Sequence, residues 1–134
     1  MQLRLAASAM LFTLLAAAAP LTQAHHSLLG QFDDKKALTL TGVIQKVDWV
    51  NPHIYVHLVV KEAGASGSTA TWRLEGVPVA MARKAGLSKA LLEGNGETVT
   101  VEVFPARDGT PHLGFMMKLT YPNGKFYQFT ADTR

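Results

Sequence analysis

Apolar and polar residues alternate along most of the chain beyond residue 37, with a period typical of β-strands that bury one face. The alternation is clearest in two stretches, 53–62 and 97–104. The residues that it places on the inward face are Ile54, Val56, Leu58, Val60, Val99, Val101 and Val103. The outward face of the first stretch then carries His53, Tyr55 and His57.

The same pattern predicts strands separated by turns rich in Gly, Pro and Asn. The predicted strands are Leu38–Trp49, His53–Glu62, Thr69–Glu75, Glu97–Phe104, Leu113–Tyr121 and Lys125–Thr130. Gly42 in the first strand indicates a bulge or a bend. Between the third and fourth strands, Pro78–Ala85 predicts a short helix, and a second helical turn is capped by Ser88 and stopped by Gly94.

Three strands, a helical insert and two or three further strands give the order of a small OB-like β-barrel. The chain is therefore expected to be mostly β, with a short helical insert between strands 3 and 4. The long first strand suits this fold because it must pair in both halves of the barrel. A simple β-sandwich is the alternative. Since a closed barrel leaves no free sheet edge, we expect a monomer.

The first residues match a secretory signal. Arg4 gives a positively charged N-terminal region, and Leu5–Ala19 is uncharged and apolar. Thr22-Gln23-Ala24 places small residues before the cleavage site. The predicted organisation is a signal peptide at 1–24, an N-terminal lead-in at 25–37 and a barrel domain at 38–134. A retained membrane anchor is the alternative, but the apolar run is shorter than the ~18 residues of a spanning helix. We therefore expect a periplasmic protein with no membrane span after cleavage.

Composition narrows the classes of function. The sequence has no Cys, so the fold has no disulfide, and any metal site must use nitrogen, oxygen or Met sulfur ligands. The net charge is +3, but Lys and Arg are scattered along the chain rather than clustered. We therefore expect no nucleic-acid partner.

Cleavage after Ala24 would make His25 the first residue of the mature protein. Its α-amine and imidazole would form a two-nitrogen chelate for a transition metal, and His26 follows directly. His53 comes after the Asn51-Pro52 turn at the start of a strand, where the N-terminus could reach it. The predicted metal ligands are therefore His25, His26 and His53, in an arrangement like a histidine brace. Nitrogen-rich coordination without thiolate favours Cu(II), with Ni(II) or Zn(II) behind it.

The other His and Met residues are less specific candidates. Four residues along a strand span about 13 Å, so His53 and His57 cannot bind the same metal ion. His57 and His112 are interpreted as surface or edge histidines. Met116 and Met117 point to opposite faces of a strand, so at most one could offer a thioether to Cu(I). A buried Met that fills the barrel is the favoured interpretation.

Glu75 ends the third predicted strand, just before the helical insert. Two roles fit this position: it could favour the start of the helix through the helix dipole, or it could hydrogen-bond to a metal-binding histidine. The role at the helix start is the favoured one. The sequence indicates no catalytic residues, because nothing next to Ser27 would orient His25 or His26 as a base.

Several segments occur together in the mature chain. They are Ala24-His25-His26-Ser27, Phe32-Asp33, Val47–His53 with a W-x-N-P-H turn, Trp72–Gly76, Gly86–Leu92, Glu97–Val101 and Arg107–Thr110. In this combination they resemble a family of short exported bacterial proteins known only as a domain of unknown function. The resemblance implies a periplasmic OB-like β domain with no assigned activity, and it maps the family's recurrent histidines onto His25, His26 and His53. The family often has an aromatic residue after its HHS start, where this chain has Leu28.

These observations predict a periplasmic, non-enzymatic binding module that binds copper through its mature N-terminal histidine. The expected partners are a metal ion or small ligand, and an envelope protein. The alternative is a structural or interaction protein of the cell envelope with no metal site. A third hypothesis is an enzyme that uses a copper brace for oxidative chemistry, which would need a substrate groove that the sequence does not identify.

Overall fold

The computed structural model of the protein describes residues 28–64 and 67–130. The strands are β1 (Leu38–Trp49), β2 (His53–Lys61), β3 (Thr69–Pro78), β4 (Thr98–Pro105), β5 (Leu113–Thr120) and β6 (Phe126–Gln128). The helices are α1 (Leu28–Gln31), a 3-10 turn at Asp34–Lys36, α2 (Val79–Lys84) and α3 (Lys89–Glu93). All six predicted strands are present. Within the described ranges no helix is long and apolar enough to cross a bilayer.

The strands form one sheet in the order β3-β2-β1-β4-β5-β6, in which neighbours are antiparallel. A parallel pairing between β3 and β5, with Arg73 opposite Leu113 and Glu75 opposite Phe115, closes the first five strands into a barrel. This connectivity, with α2 and α3 inserted between β3 and β4, is that of an OB-like barrel. The predicted mostly-β fold with a helical insert is therefore confirmed.

The alternating positions of β2 and β4 fill the barrel as predicted. Ile54, Val56 and Leu58 are completely buried, and Val60 is partly buried at the rim. The remaining core residues with no exposed surface are Val47, Leu74, Ala82, Leu92, Val101, Val103, Met116 and Leu119. Met116 is thus the methionine inside the barrel, and Met117 packs on the outside against a second small cluster.

Gly42 is not the site of the bulge in β1. It pairs with Val60 of β2 on one side and with Val99 of β4 on the other, and the register of β1 shifts further on, between Ile44 and Lys46. A Cβ at position 42 would collide with the Val59 carbonyl oxygen. Glycine at position 42 therefore allows a close approach of β2 at this point of the barrel.

The lead-in before β1 is attached to the barrel wall. Phe32 is 3% exposed, packs against Phe104 and Phe115, and forms a β-bridge with Ala106. The Arg107 guanidinium donates hydrogen bonds of 3.0 Å to the carbonyl oxygens of Leu29 and Phe32. Because of these contacts, α1 lies at a fixed position on the outer surface.

Candidate metal-binding site

His53 and Glu75 form a side-chain pair on the outer surface of the barrel. His53 begins β2, directly after the cis Asn51–Pro52 peptide bond, and Glu75 lies in β3. The β2–β3 register shifts between His53 and Tyr55, which leaves Tyr55 opposite Glu75. The His53 Nδ1–H donates a hydrogen bond to the Glu75 carboxylate. This bond links the side chains of two adjacent strands of the barrel wall.

The Glu75 bond defines which His53 nitrogen is available to a ligand. A neutral imidazole that donates from Nδ1 carries its free electron pair on Nε2. Among the described residues, none bonds to Nε2. The His53 side chain is 34% exposed, whereas that of Glu75 is 14% exposed. Glu75 therefore orients the ring from behind and leaves the more exposed His53 as the group that can bind a metal ion.

The favoured sequence interpretation of Glu75, at the start of a helix, is wrong. β3 continues past Glu75 to Pro78, and α2 starts only at Val79. The N-cap of α2 is Pro78, which makes no side-chain capping hydrogen bond. The second role that the sequence allowed, as the hydrogen-bond partner of a histidine, is the one that the side chains adopt.

A cavity of about 280 Å³ opens beside the pair. Its walls are mostly apolar and come from the lead-in, β3, α2, β5 and the end of the described chain. The lining residues are Leu28, Gln31, Phe32, His53, Glu75, Gly76, Val77, Pro78, Met81, Phe115 and Phe129. Leu28, the first described residue, thus lies at the same cavity as His53.

Of the three predicted metal ligands, His25 and His26 lie outside the described residues. The chain from Leu28 back to His25 is three residues long, which corresponds to about 10 Å when extended. Within 28–64 and 67–130, no group of three or more His, Asp or Glu residues could hold a metal ion. A complete site at His53 would therefore need ligands from the preceding segment or of another kind.

The other two described histidines do not join His53. The His57 Nε2 lies 2.7 Å from Asp48 Oδ2 in β1, on the opposite side of β2 from Glu75. The hydrogen bond from His57, with a smaller contribution from Lys46 at 3.1 Å, lowers the pKa of Asp48 below its usual value. His112 lies in the loop before β5, where its ring contacts Trp72 edge-on at 5.5 Å.

Sequence reasoning missed Met81. It lies in α2, 59% exposed, and lines the same cavity as His53. The two Met residues that the sequence singled out are elsewhere: Met116 is fully buried in the core, and Met117 packs near Phe32. A helical wheel of 79–84 indicates that Met81 faces away from Val79 and Ala82. It does not indicate that Met81 lines the same cavity as His53.

A family model described as a family of unknown function, DUF6152, matches residues 12–115. The chain belongs to this family. The match spans the segments that suggested such a family, and the DUF6152 region contains His25, His26, His53, Glu75 and Met81. No curated protein and no solved structure matches the chain.

Proposed function

We propose that the protein is an exported, non-enzymatic copper-binding module of the periplasm. In this proposal a signal peptide ends at Ala24, and the new N-terminal His25 chelates Cu(II) through its amine and imidazole. His53 supplies a further nitrogen from the barrel, and His26 is an additional ligand. The observation that carries the proposal is the Glu75-oriented imidazole of His53 at a cavity that Leu28 also lines.

The chemistry of His53 supports this role. Metal-binding histidines usually donate their second ring N–H to a carboxylate or carbonyl, which fixes the ring and raises the basicity of the ligating nitrogen. The His53–Glu75 pair has this arrangement. Imidazole and amine nitrogens together suit Cu(II) better than the hard cations, which prefer oxygen.

The position of the lead-in supports a site shared by the N-terminus and His53. Arg107 and the Phe32 cluster attach the lead-in to the barrel, so the segment that continues back from Leu28 starts beside His53. The chain from Leu28 back to His25 spans about 10 Å when extended, which is long enough for His25 to reach the cavity.

The position within the fold also favours a ligand site. OB barrels bind their ligands on the outer face of strands 2 and 3 and at the loops that flank them. His53 and Glu75 lie on that face, next to the turn between β1 and β2. The likeness to other OB barrels supports the location of a site and not the identity of the ligand.

The test is a Cu(II) affinity measurement, by competition with a chelator, on protein whose first residue is shown by mass spectrometry to be His25. We expect binding of a single ion per chain. His53→Ala should weaken it at least about tenfold. A Gly-Ser-Gly-Ser extension should have a similar effect, because the amine then no longer belongs to His25 and neither His25 nor His26 becomes the third residue.

His57→Ala is the matched control, since His57 is on the same face of the same strand but is bonded to Asp48. It should leave Cu(II) affinity unchanged. If the His53→Ala and extended proteins both bind as tightly as the processed wild type, the copper proposal is contradicted. The envelope-interaction alternative, in which the histidines are incidental, would then account better for the protein.

A further inference from the structure

Backbone contacts tie the helix that carries Met81 to the turn before His53. The Val79 N–H donates a hydrogen bond of 3.1 Å to the Pro52 carbonyl oxygen, which ties the start of α2 to the turn before His53. Pro78 is the register partner of His53 across the β2–β3 pair. Met81 follows within the first turn of α2 and lines the cavity that contains His53.

Packing does not explain the presence of a methionine at this position. α2 buries Val79 and Ala82 against the core, at 3% and 0% exposure. Met81 lies on the other side of the helix with 59% of its surface exposed. A long apolar side chain is therefore kept largely exposed at a position that lines the cavity.

We propose that Met81 is a Cu(I) ligand, so that the cavity holds copper in both oxidation states with different ligand sets. The inference rests on the proposed copper-binding function and deepens it. Thioether sulfur is a soft ligand that selects Cu(I), whereas imidazole binds either state. The Cu(I) set is then Met81 Sδ and His53 Nε2, and Met81 takes no part in binding Cu(II).

The positions of Glu75 and Met81 fit this division between Cu(I) and Cu(II) ligands. Glu75 lies behind His53 and keeps its Nε2 available, while Met81 reaches the cavity from α2. Apolar side chains, among them Phe115 and Phe129, form much of the remaining wall. Such surroundings suit the monovalent, weakly hydrated Cu(I) ion better than a doubly charged one.

The test compares Cu(I) and Cu(II) affinities of the processed protein, the Cu(I) measurement being an anaerobic competition with a chromogenic Cu(I) chelator. Met81→Leu keeps the apolar volume and removes the sulfur. We expect Cu(I) affinity to fall at least about tenfold while Cu(II) affinity stays within about twofold. X-ray absorption of the Cu(I) complex should lose a sulfur scatterer in the variant.

Met117→Leu is the matched control, because Met117 is half-buried near Phe32 outside this cavity. It should leave both affinities unchanged. Retained Cu(I) affinity in Met81→Leu, or an equal loss for both ions, would overturn the role of Met81. Wild-type protein that binds Cu(II) but not Cu(I) would overturn it as well, with the proposed function intact, whereas binding of neither ion would overturn both.

Discussion

Glu75 determines what the imidazole of His53 offers to a ligand. Its carboxylate accepts the Nδ1–H, so the ring is oriented and its Nε2 is the nitrogen left for a metal ion. The carboxylate is mostly covered, at 14% exposure, which strengthens its interaction with the ring compared with a fully hydrated pair. The effect of Glu75 on metal binding should therefore be electronic as well as geometric.

Glu75→Gln separates these two effects. The Gln carbonyl can still accept the Nδ1–H, but the negative charge that raises the basicity of Nε2 is lost. We expect Cu(II) affinity to fall about tenfold in Glu75→Gln and up to about a hundredfold in Glu75→Ala, which also frees the ring. Glu62→Gln, in the exposed turn after β2, is the control. Equal affinities in all four proteins would contradict the role given to Glu75.

The Asp48–His57 pair on the outer face of β1 and β2 is a structural contact. The hydrogen bond from His57 lowers the pKa of Asp48 in the folded protein below the ordinary 3.8. A carboxyl with a lowered folded-state pKa stabilises the fold above its unfolded pKa, and this stabilisation disappears as the pH falls through the folded value.

Asp48→Asn should therefore lower the Tm modestly at neutral pH, because Asp48 is partly exposed and its interactions are screened. The difference in Tm from wild type should shrink once the pH falls below 3.8. Thermal unfolding over a pH series measures it, with Glu102→Gln on the outer face of β4 as a control for charge removal. A Tm difference that stays constant down to the most acidic pH would contradict this account.

Strands with regular alternation could be predicted from the sequence, because successive positions along most of β2 and β4 face the core and the solvent in turn. The structure departs from the sequence prediction where pairing with a neighbouring strand determines the register or the length of a strand. The bulge of β1 is set by its pairing with β2, and β3 extends to Pro78 because it pairs there with His53. Local propensity contains no information on such partners.

The lead-in is the element on which the proposed site depends most. Two side-chain hydrogen bonds from Arg107, at 3.0 Å each, join it to the loop between β4 and β5. The same guanidinium is 3.7 Å from Asp34 and 3.9 Å from Asp33. Arg107 is 44% exposed, so each interaction contributes modestly, and their combination fixes the element.

Arg107→Ala should loosen the lead-in without unfolding the barrel. Loss of two hydrogen bonds, worth about 0.5–1.5 kcal/mol each, should speed amide exchange of Phe32 and Asp33 by roughly tenfold. Cu(II) affinity should fall in parallel, because the proposed site depends on α1 keeping Leu28 at the cavity that His53 lines. Hydrogen exchange measures the first effect, and Lys61→Ala at the far end of β2 is the control. Unchanged exchange at both amides would show that Arg107 does not hold the lead-in.

At the scale of the whole molecule, the fold followed from the sequence more completely than the candidate site did. The order of strands and insert was sufficient to predict the barrel, and the Asn51-Pro52 turn was sufficient to place His53 at the start of a strand. Glu75 and Met81 come together with His53 only through the β2–β3 pairing and the Pro52–Val79 hydrogen bond. Contacts between residues more than twenty positions apart in sequence leave no local pattern that could be recognised.

The proposed function requires that the processed N-terminus and His53 bind the same copper ion. The most direct measurement is NMR of the imidazole rings during a Cu(II) titration of protein that begins at His25. Paramagnetic Cu(II) broadens signals of the groups nearest to it. We expect substoichiometric Cu(II) to broaden the His25 and His53 ring signals first, while those of His57 and His112 persist. Sharp His53 signals after the His25 signals have disappeared would contradict the claim.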